Sequence, residues 1–101
     1  MAKYLFVYHG GEEPEDMKEF MDAWGTWLGS MGAAVIDGGN PVGPSRTVRP
    51  DGSVTDNGGA NPASGYSLLE ASGMDDALKK AKGCPILTVG GSIEVAEAFD
   101  M

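Results

Sequence analysis

His9 is the only histidine in this 101-residue chain. Its imidazole is the one side chain whose ordinary pKa lies near neutrality, so His9 is the candidate general base. Asp37, a carboxylate closing another apolar run, is the candidate partner that could orient or charge the ring, and Glu70 ends a third such run. Trp24 and Trp27 stand one helical turn apart and could wall a cavity for a planar ligand, an indole N–H serving as donor. The expected pocket lies between the sheet and the first helix, with His9, Trp24, Asp37 and Tyr66 at its wall. Asn40, Ser64 and Tyr66 could hydrogen-bond a small acid. Together these residues would move protons, as in an isomerisation or an elimination on a small organic acid or aromatic. Plainer roles fit the same residues: a loop histidine, core tryptophans, turn-forming Asn and Ser, solvated carboxylates.

Other chemistries find no support. The glycine pairs at 10–11, 38–39, 58–59 and 90–91 are not followed by Lys-Ser/Thr and do not open a helix with GxGxxG spacing, so no phosphate loop is expected. One histidine and one cysteine cannot supply a metal-ligand set, and neither a metal nor a cofactor is expected. Cys84 follows a helix, the wrong end of the dipole for a reactive thiolate, and reads as a buried structural thiol.

The elements that must position these residues read as follows. Lys3 to His9 is a strand with apolar side chains on both faces, hence central in a sheet. Pro14 suits a first helical turn amid Glu12, Glu13, Glu15 and Asp16. Met17, Phe20, Met21, Trp24, Trp27, Leu28 and Met31 then form one apolar stripe, stopped by Gly32. Gly25 and Gly29 within that helix read as points where its backbone comes close to the sheet or to a ligand. Ala33 to Asp37 is a second strand. Ser45 to Arg49, Pro50-Asp51-Gly52 and Ser53 to Asp56 make a polar hairpin. Gly65 to Ala71 is the next main strand, and Ser72 opens a helix over Met74 to Lys82 that Gly83 ends. Ile86 to Val89 leads out, and Ser92 to Phe99 is the last strand. Two Gly-Gly-(x)-Asn-Pro turns, at 38–41 and 58–62, bracket the hairpin segment.

This order predicts an α+β domain over residues 1–101, a ferredoxin-like βαββαβ fold with a polar β-hairpin insertion. Both helices cover one face of the sheet. Tyr4, Phe6, Tyr66, Leu68 and Val95 cannot all reach them, because side chains alternate. A second copy is the simplest cover for the other face, so a homodimer is expected.

Fifteen acidic and seven basic residues give a formal net charge of −8. Such a surface, acidic and soluble in the bacterial manner, repels nucleic acid and anionic membrane. No signal-like or membrane-length apolar run occurs, and the expected compartment is the cytoplasm.

The blocks KYLFVYHGG, the helix with Trp24 and Trp27, GGNP, GGANPASGYSLLEA and the AKGCPIL that follows resemble the YCII-related family over essentially the whole chain. The resemblance implies a dimeric α+β barrel built on a ferredoxin-like protomer. It implies small-molecule chemistry of a lyase or dehalogenase kind for some members, no assigned activity for most, and a link to sigma-factor regulation for others. A better-studied branch pairs an aspartate with a histidine on the first helix. That helix has no histidine here, so His9 would have to serve, with Asp37 in the aspartate's place. Two alternatives stand beside the ligand-binding reading: a non-catalytic regulatory or protein-interaction module acting through the hairpin around Asp51, and a scaffold with no pocket.

Overall fold

Strand β1 (Ala2–His9) alternates strictly, and the molecule is laid out on that alternation. In the computed structural model, which describes residues 1–101, Tyr4, Phe6 and Tyr8 are buried toward the helices while Leu5 and Val7 face the other way. β1 is flanked on both sides by antiparallel partners, β5 (Ala63–Ala71) and β6 (Ser92–Ala98). β2 (Val35–Asp37) adds to the far side of β5, so the strand order is β2-β5-β1-β6. With helices α1 (Met17–Met31) and α2 (Met74–Ala81), this is the ferredoxin-like α+β arrangement the sequence predicts. The hairpin forms a separate two-stranded ribbon, β3 (Thr47–Val48) with β4 (Val54–Thr55).

The core lies between sheet and helices. Tyr4, Phe6, Tyr8, Leu69 and Ala71 meet Trp27, Ala77, Ala81 and Cys84 there. Trp27 stacks on Phe6 with ring centroids 6.4 Å apart, and its Nε1–H donates to the Lys80 carbonyl at 3.0 Å, fastening α1 to α2. Burial pushes the Cys84 thiol up to about 12, consistent with an inert packing role.

Several local expectations are corrected. α1 starts at Met17, with Asp16 as its N-cap accepting the Glu19 N–H at 3.0 Å; Pro14 lies before the helix rather than in its first turn. Met17 and Met21 are exposed, and the packed stripe is Phe20, Trp24, Trp27, Leu28 and Met31. Gly32–Ala34 and Pro85–Val89 are 3₁₀ turns, the first shortening the second strand and the second replacing the extended exit. α2 is capped by Gly73, while Asp76 accepts the Ser72 N–H at 3.0 Å and holds Lys80 at 2.8 Å. Gly25 and Gly29 make no close approach: a Cβ at either would meet open space.

Gly39 is the opposite case. It sits at φ +76°, and a Cβ there would lie 1.6 Å from the Tyr66 carbonyl oxygen. Replacing Gly25 or Gly29 by Ala should therefore raise unfolding stability by about 0.5–1 kcal/mol each. Gly39→Ala should lower it by more than that gain, because strain and collision add. Urea denaturation of the three variants checks both signs.

Candidate functional site

The sheet's alternation assigns His9 to the face away from the helices. Its register partners are Ala63 on β5 and Ser92 on β6. The side chain is only 10% exposed, because the loop before β5 folds over it. Nδ1 lies 3.2 Å from the Pro62 carbonyl oxygen, and Nε2 lies 3.0 Å from Glu94 Oε1. Glu94 stands opposite Val7 and reaches the ring along the diagonal of the same face. A neutral imidazole carries one N–H, yet both ring nitrogens here face acceptors. The arrangement is satisfied only by an imidazolium donating twice. The hydrogen bond to Glu94 raises the His9 pKa above its ordinary 6.5, against burial, with the backbone of Pro62 and Asn61 adding to the rise. His9 is therefore a poised proton donor more than a free base.

The other expected site residues divide between the two faces. Tyr66 lies on the His9 face, opposite Val7, and its hydroxyl accepts a hydrogen bond from Asn40 Nδ2 at 3.2 Å. The Tyr66 N–H donates in turn to the Asn40 carbonyl. Trp24 lies on the helix face, edge-on to Tyr8 at 5.1 Å and to Trp27 at 5.5 Å. The space expected to be open between sheet and first helix is filled by these rings. Beneath them Tyr8 donates to Ser67 Oγ at 2.8 Å, and Ser67 donates to the Gly38 carbonyl at 2.7 Å.

Asp37 does not reach His9 within one chain. It pairs with Leu68, which lies opposite Leu5, about 13 Å from His9 along β1, and β2 is two strands over from β1 as well. Its Oδ1 instead accepts the Gly39 N–H at 2.8 Å. Asn57 Oδ1 accepts the Gly59 N–H at 2.9 Å in the same way. The repeated Gly-Gly-Asn-Pro signature is thus a repeated side-chain-fixed turn, with Asp37 and Asn57 in equivalent roles.

Ser64 is the extra residue of a bulge, where the register shifts between Tyr8↔Gly65 and His9↔Ala63. Its Oγ is buried without a hydrogen-bond partner. It borders an open cavity of about 500 Å³ that Gly10, Gly11, Asn57 and Asn61 also line. A wider cleft of about 980 Å³ runs between α1 and the Pro85–Val89 turn, with Glu12, Glu13, Glu15, Asp16 and Glu19 at its rim. Of the expected residues only Trp27 lines it; His9, Trp24, Asp37, Asn40, Ser64 and Tyr66 do not. No three His, Cys, Asp or Glu side chains converge as metal ligands, and no helix is long and apolar enough to cross a membrane. Glu94 is not singled out by the sequence; its place in the last strand shows only that it faces away from its neighbours Ile93 and Val95.

Because the folded pKa of His9 exceeds the unfolded value, its stabilisation is complete below about pH 6.5 and fades as pH rises through the raised value. The single imidazole C2–H resonance should titrate above 6.5. The melting temperature of wild type should fall over that window more than that of His9→Gln. A His9 midpoint at or below 6.5 would contradict the double-donor geometry.

No protein-family model matches the chain, and no curated protein matches it. Among solved structures it is similar to 5-chloro-2-hydroxyhydroquinone dehydrochlorinase (TftG) from Burkholderia phenoliruptrix AC1100, in complex with 2,5-dihydroxybenzoquinone. The TM-score is 0.52 and the identity 16%, over 94% of this chain and 93% of that one. At that identity the likeness establishes the fold alone: a small ferredoxin-like α+β protein with two helices and an antiparallel sheet.

Proposed function

We propose that the protein is a homodimeric, cytoplasmic small-molecule-binding protein of YCII-related type, with His9 giving it weak acid–base chemistry on a small organic acid or aromatic. The observation that carries this reading is the buried His9, held doubly hydrogen-bonded on the sheet face that the helices leave bare. A ligand on that face would have His9 as its proton-handling group, Val7 as apolar floor, and the Tyr66–Asn40 pair one register step away. Asp37 would serve by fixing the turn that carries Asn40. Trp24 would serve from beneath, by holding Tyr8. The chemistry in keeping with a proton donor beside an apolar floor is isomerisation or elimination. The similar structure is named a dehydrochlorinase and holds a small oxygenated ring, which supports the same class.

The dimer is supported by shape. The Cα envelope measures 43 × 40 × 19 Å, and its radius of gyration of 14.7 Å exceeds the roughly 13 Å of a self-contained domain this long. The accessible surface is 6698 Å², about 1,300 Å² more than a 10.5 kDa monomer ordinarily shows. The projecting hairpin accounts for part of that excess. The bare sheet face, with Leu5, Val7, Tyr66, Leu68 and Ala96, contributes as well, and one side of an ordinary interface covers about 800 Å².

A second reading, a non-catalytic interaction module, draws support from the hairpin. Val48 and Val54 pair across its strands at 72% and 59% exposure, beyond the Asp51 turn that Ser53 stabilises.

Two experiments test the main reading. In a thermal-shift series of small aromatic and carboxylic acids, a binder at a hundred times its Kd should add about 2.7 kcal/mol of stability to wild type and nothing to His9→Ala. A folded protein shifted by none of these acids would remove the ligand reading and leave the hairpin one. In sedimentation, wild type should run as a dimer and Leu5→Asp as a monomer, since a charge there would be buried unpaired. An undisturbed Leu5→Asp dimer would refute the sheet face as the interface.

A further inference from the structure

We infer that Glu94 occupies the place of the ligand's own anionic oxygen, so that the His9 site takes a small monoanion with an apolar body, and Glu94 must yield for it to bind. This rests on the small-molecule reading above and adds to it the charge of the ligand and the residue that competes with it.

The two hydrogen bonds of His9 differ in kind. Pro62 is fixed by the backbone, and its carbonyl cannot leave without moving the loop. Glu94 is a flexible side chain, 67% exposed, whose hydrogen bond to His9 is its sole side-chain tie. One ring nitrogen is therefore permanently engaged while the other is held by a removable carboxylate. Glu94 is also the charged group that faces the ring. The loop before β5 meets it with the backbone of Asn61 and Pro62, and the strands on either side place Ala63 and Ser92 opposite it, none of which titrates near neutrality.

When Glu94 turns outward, Nε2–H of a buried imidazolium is left without an acceptor on an apolar face. A second carboxylate, or another anionic oxygen, is the complement of that vacancy, whereas a neutral carbonyl would leave the charge unbalanced. Glu94 leaves β6 opposite Val7, so its departure uncovers Val7 together with His9. The ligand then needs an apolar body directly behind the anionic group, which an aryl or branched acid has. With a net charge of −8 the chain has no general attraction for anions, so the selectivity must be local to His9. Glu94 is tethered and acts as an intramolecular competitor, weakening binding in proportion to its effective concentration. Glu94 is the solvent-exposed partner of the pair, so its carboxylate is rehydrated when it leaves the ring and a ligand can take its place.

Benzoate is the probe, with benzamide as its neutral isostere, titrated by NMR into wild type, Glu94→Ala, Glu94→Gln and His9→Gln. Benzoate should bind Glu94→Ala about tenfold more tightly than wild type. Glu94→Gln, which keeps an acceptor without the charge, should fall between them, and benzamide should show no such gain. The His9 titration midpoint should drop in Glu94→Ala and return upward when benzoate is added. Binding should vanish in His9→Gln. If benzoate binds wild type and Glu94→Ala equally while still requiring His9, the ligand site stands and the competitor role of Glu94 is overturned. If benzoate leaves the His9 midpoint of Glu94→Ala unmoved, anion recognition at Nε2 is overturned. If it binds none of the variants, the small-molecule reading falls together with this inference.

Discussion

The two-residue period of β1 is the constraint on which the rest of the structure depends. A strand paired on both sides has no freedom to rotate, so each side chain is committed to one face by its position alone. Tyr4, Phe6 and Tyr8 go to the helices, beside Leu69 of β5, and Trp24 and Trp27 close over them. Leu5, Val7 and His9 go to the bare side by the same rule. Sliding β1 by one residue would bury a histidine among tryptophans and expose two tyrosines. Core and candidate site are thus two readings of one strand, separated only by parity.

That separation explains the shape of the molecule. Two short helices can cover one face of a four-stranded sheet and no more, and the result is a slab 19 Å thick. Only 13 of 101 residues are buried, too few for the single chain to enclose a ligand between sheet and helix as well as its own core. A ligand of His9 would sit on the outer face, and in the proposed dimer its upper wall would come from the second copy. On the proposed reading, association and ligand binding share that one surface.

His9 itself shows how burial and hydrogen bonding can oppose each other. Burial alone would favour the neutral ring. Two acceptors placed against its two nitrogens reverse that preference, because a neutral imidazole would leave one of them facing a lone pair. The carboxylate that does this is Glu94, not Asp37. Asp37 belongs to a turn, where its oxygen caps a glycine N–H and lets Gly39 press against the Tyr66 carbonyl. The same device recurs at Asn57 and Gly59, so the most conspicuous repeat in the chain has a conformational cause and no catalytic one.

Much of the fold was legible from local physics. The apolar run before Gly10, the stripe ending at Gly32 and the Pro50-Asp51-Gly52 turn each specify an element through short-range preference, and their order specifies a ferredoxin-like sheet. Composition also set the charge and made a polyanionic partner unfavourable. The irregular parts were less legible, since Gly32–Ala34 and Pro85–Val89 choose 3₁₀ geometry to fit the ends of strands they do not belong to. The site was legible only in its central residue. His9 could be picked out by its chemistry, but its partner depends on which strand lies beside β1 and in what register, a long-range pairing that no local pattern encodes. The sequence by itself determined the main elements and their order, and the alternation that puts His9 and Tyr8 on opposite faces of the sheet. Only the tertiary structure decided that His9 faces away from the helices and that β6 brings Glu94 to it while β2, two strands over, keeps Asp37 out of reach, because strand neighbours are settled by packing over the whole sheet.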